Sequence, residues 1–300
     1  MRQGTEAAVA NIIGVAQQNG GILMDIAVIG LGLIGGSLAR TIKLHTEHRV
    51  FGCDLNAQTM QQAYLLEAID GEATAEKLRE CGMVLVCLYP GAIVEWVKAN
   101  AANFAPGTLV IDCGGVKQSI YGELIGLSRG SQWHYLGGHP MAGREYSGFR
   151  YAKDDLFDGA SMILCTDGKD DPALLASARD FFLSLGFRRV QFTDPKNHDE
   201  MIAYTSQLAH IVSSAYVKCP LAQSHKGYSA GSFADMTRVA RLNEDMWTEL
   251  FFENREALLP VMEDLVTRVT EYRDALRDGD TEGMRRLLRE GREIKEGLER

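Results

Sequence analysis

The 300-residue chain is 46% hydrophobic and 24% charged, a globular balance that can fill a sizeable core and has room for two domains. Its formal net charge of −9 argues against nucleic acid or an anionic membrane as main partner, because both require a basic face; a small anionic substrate needs only a local cation. No stretch approaches the roughly 20 apolar residues of a spanning helix. Cys53, Cys81, Cys87, Cys113, Cys165 and Cys219 show neither a C-x-x-C pair nor metal-type spacing, which fits reduced thiols in the cytoplasm and no metal site.

Residues 1–23 read as an N-terminal extension. Arg2 and Glu6 precede a Gln/Asn-interrupted segment without a sustained apolar run, a poor secretion signal, and no catalytic role is expected there. From Met24 short apolar runs alternate with amphipathic stretches. Strands are predicted at Ile26–Ile29, Arg49–Cys53, Met83–Leu88 and Thr108–Ile111, and helices at Gly35–Leu44, Ala57–Leu66 and Ile93–Asn103. Continuous apolar strands separated by helices indicate a parallel sheet covered on both faces. Two further strands, Ser161–Cys165 and Arg189–Phe192, flank a helix over Pro172–Leu185.

After Asp194-Pro195 long helical periodicity takes over. One helix is predicted from about His198 to Val217. A second, from about Glu244 to Leu276, places Trp247, Leu250, Phe251, Leu258, Val261, Leu265, Val269, Tyr272 and Leu276 along one face. A single helix of that length, more than roughly 45 Å at about 1.5 Å per residue, needs a partner surface, and a second copy of the chain is the economical one. The reading is therefore an α/β Rossmann-type dinucleotide-binding domain over 24–194, then an all-α helical dimerisation and substrate domain over 195–300, forming a homodimer through the C-terminal helices.

Gly30-Leu31-Gly32-Leu33-Ile34-Gly35 follows the first strand and opens a helix, the context that gives G-x-G-x-x-G its meaning. Gly30 permits the tight turn, Gly32 lets the backbone approach a pyrophosphate, and Gly35 allows close helix–strand packing. The N–H groups that open the helix, at Leu33 and Ile34, then face the phosphates. Asp54 closes the second strand, where its carboxylate suits a ribose diol and repels a 2′-phosphate, so the expected cofactor is NAD rather than NADP.

Gly137-Gly-His139-Pro-Met-Ala-Gly143 is read as a tight loop that aims one imidazole. Histidine suits removal of a hydroxyl proton, since its unperturbed pKa lies near neutrality. Arg238 offers a forked cation for a carboxylate, and Ser206 and His210, four apart, share one helix face. Taken alone, His210 could be a core histidine and Arg238 a surface ion-pair partner. His45, His48, His134, His198 and His225 show no comparable setting.

Together, Gly-Gly-His139-Pro-Met-Ala-Gly-Arg-Glu145-Tyr-Ser-Gly148, Ser206-Gln-Leu-Ala-His210 and Asp235-Met-Thr-Arg238-Val-Ala, with Met246-Trp247 beyond, resemble the prephenate dehydrogenase family over roughly residues 24–275. The resemblance implies a nucleotide-binding domain, a helical dimerisation domain and a cleft between them. It also implies NAD-dependent oxidative decarboxylation of prephenate to 4-hydroxyphenylpyruvate, in tyrosine biosynthesis. By that resemblance His139 accepts the ring-hydroxyl proton, Arg238 holds a carboxylate, and Ser206 and His210 line the substrate pocket. Glu145 forms a polar gate and Trp247 a wall. One departure stands out: many members carry a serine after the fifth strand, and here Gly115 occupies the matching place. Arogenate dehydrogenase is the nearest alternative. A β-hydroxyacid dehydrogenase would carry a catalytic lysine and paired asparagines in its helical domain, and a non-catalytic NAD-binding protein would lack the His139/Arg238 pair. The span suggests a monofunctional enzyme.

Overall fold

A computed structural model describes residues 23–143 and 146–299; the extension before Leu23 and the candidate gate Glu145 lie outside the described residues. Eight strands form one sheet: β1 Asp25–Ile29, β2 Arg49–Cys53, β3 Gly71–Glu72, β4 Met83–Val86, β5 Leu109–Asp112, β6 His134–Pro140, β7 Ser161–Cys165 and β8 Arg189–Thr193, in spatial order β3-β2-β1-β4-β5-β6-β7-β8. Every neighbouring pair is parallel except β6–β7. Alternate residues of β1 serve opposite layers. Ile26 and Val28 join the cluster containing Leu38 and Phe182, while Ala27 and Ile29 join the one containing Ile93 and Trp133. A strand buried on both faces must be apolar throughout, as read from the sequence.

The connections place α1 (Leu33–His45), α2 (Ala57–Leu65), α3 (Ala75–Leu78), α4 (Pro90–Asn100), α5 (Gln118–Arg129) and α6 (Pro172–Ser184) around the sheet. The strand order turns back between β1 and β4, which opens a crevice at their carboxyl ends. Gly30 follows β1 there, and Tyr89-Pro90 follow β4.

Two sequence expectations need correction. His139 is not in a loop but inside β6, paired with Ile163 of β7. Its glycine neighbour is needed for packing, because a Cβ on Gly138 would run into the Asp112 backbone oxygen. The helix expected over 244–276 is likewise two helices, Glu244–Glu253 and Arg255–Asp278, which meet at Asn254. The Asn254 side chain donates to the Asp199 backbone oxygen (2.9 Å) and to Gln207 Oε1 (2.8 Å), so a tertiary anchor ends the helix. Periodicity cannot see such an anchor.

The helical part starts with α7 (Pro195–Ile202), whose N-cap Asp194 accepts from Asn197 N–H at 3.0 Å. It continues through a π-helical turn at Ala203–Leu208 into α8 (Ala209–Val217). Then follow α9 (Gly231–Thr237), α10 (Glu244–Glu253), α11 (Arg255–Asp278) and α12 (Thr281–Leu298). The cluster buried within this part comprises Ala203, Leu208 and Leu258. Val266, Val269, Leu276, Leu288 and Ile294 on α11 and α12 are exposed. Among the described residues no helix is long and apolar enough to cross a membrane.

Candidate active site

Three features make the β1–α1 turn a dinucleotide cradle. Gly30 holds φ at 85°, a left-handed value that favours glycine, and donates its N–H to the Cys53 oxygen at 2.8 Å. A Cβ on Gly35 would overlap the Gly30 oxygen, so the third glycine permits the helix to lie against the turn. Gly32 has open space where its Cβ would stand, and it supplies no side-chain cap. The first-turn N–H groups at Leu33 and Ile34 are thus left for an anion. Asp54 stands beside them: its Oδ2 accepts from Leu31 N–H and its Oδ1 from Asn56 N–H, both at 2.8 Å. Each oxygen retains a lone pair for a ribose hydroxyl. These donors and acceptors suit the phosphates and the ribose diol of a dinucleotide.

β6 carries the second component, His139. Its Nδ1 lies 2.9 Å from His198 Nε2, and His198 Nδ1 lies 2.6 Å from Asp199 Oδ1. Asp199 also accepts the backbone N–H groups of Lys117 (2.9 Å) and Gln118 (2.8 Å), at the N-terminus of α5. The side chains of His198 and Asp199 are fully buried. Burial, the neighbouring His198 and the Lys117 cation hold His139 well below the usual histidine range. Burial also lowers His198, against the opposing hydrogen bond from Asp199. Both rings are therefore neutral near pH 7.

A buried ion pair supports this row. The Lys117 ammonium contacts Asp112 Oδ1 with both side chains out of solvent. Asp112 also accepts from the Tyr135 hydroxyl (2.7 Å) and Gly114 N–H (2.9 Å). Asp112 is thus committed to structure. Burial and the adjacent Asp112 push the Tyr135 phenol well up, so it remains a donor.

The remaining candidates come from the helices. A Cβ on Gly115 would stand 3.2 Å from Leu250 Cδ2 and 4.0 Å from His139 Nε2, so the loop after β5, the His139 ring and α10 converge. One turn from Leu250, Trp247 lies over the His210 ring with centroids 4.1 Å apart. His210 Nδ1 is 2.8 Å from the Ser206 backbone oxygen, placing Ser206 and His210 on one face across the π-helical turn. Glu249 Oε1 accepts from Gly91 N–H at 3.1 Å, tying α10 to the start of α4 across the crevice. Arg238 caps the C-terminus of α9 with its side chain exposed. Phe233 anchors that helix to α8 through Tyr216, with ring centroids 6.0 Å apart.

The sequence reading did not anticipate the Lys117–Asp112 ion pair or the part played by His198 and Asp199. The His198-Asp199 dipeptide in the first turns of α7 was the available signal, but its partner His139 is 59 residues away in the chain.

Comparison with known proteins fits this geometry. Residues 38–191 match the model of the prephenate dehydrogenase nucleotide-binding domain, and residues 194–290 that of the prephenate dehydrogenase dimerization domain. The chain belongs to the prephenate dehydrogenase family. Among its relatives are prephenate dehydrogenase of Bacillus subtilis, 27% identical over 91% of this chain and 76% of that protein, and cyclohexadienyl dehydrogenase of Zymomonas mobilis, 30% identical over 86% and 91%. A crystal structure of prephenate dehydrogenase from A. aeolicus with hydroxyphenyl propionate and NAD+ superposes with a TM-score of 0.81 at 25% identity, covering 94% of this chain and all of that one. The Synechocystis arogenate dehydrogenase structure gives 0.78 at 25% identity, covering 92% of this chain and all of that one.

Proposed function

We propose that this member of the prephenate dehydrogenase family oxidises prephenate with NAD and releases carbon dioxide and 4-hydroxyphenylpyruvate. The observation that carries the reading is the placement of His139 Nε2 beside Gly115, at the carboxyl edge of the sheet that also bears the Gly30–Gly35 cradle. The N–H groups of Leu33 and Ile34 and the Asp54 carboxylate would hold NAD, which would supply the hydride acceptor. Because Asp54 would repel a 2′-phosphate, NAD is preferred to NADP.

His139 Nε2 accepts the proton of the ring hydroxyl as hydride leaves the same carbon. The resulting ketone is conjugated to the carboxylate-bearing ring carbon, so loss of carbon dioxide aromatises the ring and makes the step effectively irreversible. Arg238 binds the ring carboxylate. Ser206 and His210 line the pocket, and Trp247 walls it against His210. Gly115 leaves a space beside the base where many relatives place a serine. We assign residues 24–194 to the cofactor domain and 195–300 to the substrate and dimerisation domain. The exposed apolar residues of α11 and α12, next to so small an internal core, support a homodimer through those helices.

A second reading, arogenate oxidation, is favoured by the likeness to the Zymomonas and Synechocystis enzymes. NAD reduction is followed with prephenate and with arogenate, using wild type, His139→Asn and Arg238→Gln. Wild type turns over prephenate. His139→Asn loses roughly 10²–10⁴ in kcat, whereas Arg238→Gln mainly raises KM. Exclusive use of arogenate replaces the first reading with the second, and no turnover of either substrate sinks both.

A further inference from the structure

The row Asp199–His198–His139 has a direction. A carboxylate can only accept, and Asp199 already accepts the two backbone N–H groups at the start of α5. His198 Nδ1, 2.6 Å away, must therefore carry a hydrogen. In a neutral ring that leaves the lone pair on Nε2, which is the atom facing His139 Nδ1 at 2.9 Å. Two bare nitrogens cannot share that distance, so His139 carries its hydrogen on Nδ1. The free lone pair of His139 is then on Nε2, the atom beside Gly115.

We propose that His198 and Asp199 are positioning residues that lock His139 in the Nδ1–H tautomer, so that its Nε2 is permanently the accepting nitrogen toward the cleft. The proposal rests on the reading of His139 as proton acceptor. In the opposite tautomer an N–H would point at the substrate hydroxyl, and the ring could donate a hydrogen bond but could not take the proton. The same principle holds where a carboxylate fixes a catalytic imidazole: the wrong tautomer leaves the geometry intact and removes the rate. Here the carboxylate acts through a second imidazole. The relay also crosses the domain junction, because His139 belongs to β6 and the other two residues to α7. The pose of the base thus depends on how the first helix of the helical part docks on the sheet. Asn254 reinforces that docking by donating to the Asp199 backbone oxygen.

The test uses enzyme labelled with ¹⁵N-histidine, with NAD and no substrate. His139 is assigned by the signal lost in His139→Asn. Its Nδ1 should be protonated and its Nε2 bare. In His198→Leu, Nδ1 loses its acceptor. The Nε2–H form should then grow in, and kcat should fall about tenfold or more, toward the roughly 10²–10⁴ that a general base contributes, with KM for NAD unchanged. His198→Gln, whose amide oxygen can accept from His139, should recover part of the rate. Hydrogen on His139 Nε2 in the wild type, a doubly protonated His198, or unchanged kcat in His198→Leu would overturn the proposal. If His198→Leu does not fold, the wild-type spectrum decides. Failure of the dehydrogenase reading would appear instead as absent turnover, with the tautomer unaffected.

Discussion

Replacing Lys117 by methionine tests how the buried electrostatics support both fold and chemistry. The Lys117 and Asp112 side chains are 0% and 1% exposed, so the substitution leaves a carboxylate deprived of its cation in a dry interior. Removing one partner of a buried pair costs about 3–5 kcal/mol. The lower end applies here, because Tyr135 and Gly114 still donate to Asp112 and methionine keeps most of the packed volume. A loss of about 3 kcal/mol lowers Tm by about 6–12 °C at ~2–4 °C per kcal/mol. The double variant Lys117→Met/Asp112→Asn should lose less than the single one, since no unpaired charge remains.

The same change has a catalytic signature. Lys117 is one cause of the depressed His139 pKa, because its charge opposes protonation of the ring. Without it His139 becomes easier to protonate, and the acidic limb of kcat/KM moves to higher pH. Thermal unfolding and a pH–rate profile on the same preparation check both effects. A Tm within about 2 °C of wild type, or an acidic limb that stays put or moves down, would refute the reasoning.

Three further outcomes follow from the same geometry. Because His139 and His198 titrate below the usual histidine value in the fold, the unfolded chain binds more protons once pH drops below ~6.5. Stability should then fall by up to ~1.4 kcal/mol per pH unit for each ring until its folded pKa is reached; urea midpoints at pH 7.5 and 5.5 check this, and a higher midpoint at 5.5 contradicts it. Asp54→Ala should raise KM for NAD about tenfold, the value of a hydrogen bond to a charged acceptor, and narrow the preference over NADP; initial rates with both cofactors decide. Gly115→Ser places a hydroxyl within reach of His139 Nε2 after a small shift of Leu250, and should lower KM for prephenate by roughly 2–10-fold through one added hydrogen bond. An unchanged KM would show that a hydroxyl at position 115 does not reach the substrate.

Much of the sheet was legible because a strand buried on both faces is apolar along most of its length; β1, β4 and β5 could be read from composition and spacing alone. The cofactor cradle was legible for a similar reason, since Gly30, Gly32 and Gly35 meet a local steric demand. β6 was less so: its Gly-Gly-His-Pro sequence reads as a turn, yet Gly138 is required because β5 passes too close for a Cβ. The break at Asn254 was hidden because periodicity registers which face is apolar and not where a side chain is fastened.

The sequence by itself determined the fold class and the nucleotide-binding turn and singled out His139 as the candidate base, all of which depend on short-range patterns. Only the tertiary structure decided which nitrogen of that histidine is free. The residues responsible, His198 and Asp199, reach His139 across 59 positions of chain, through a contact that neither strand nor helix periodicity encodes. Hydrogen bonds between distant elements follow from packing, and packing is where local sequence patterns end.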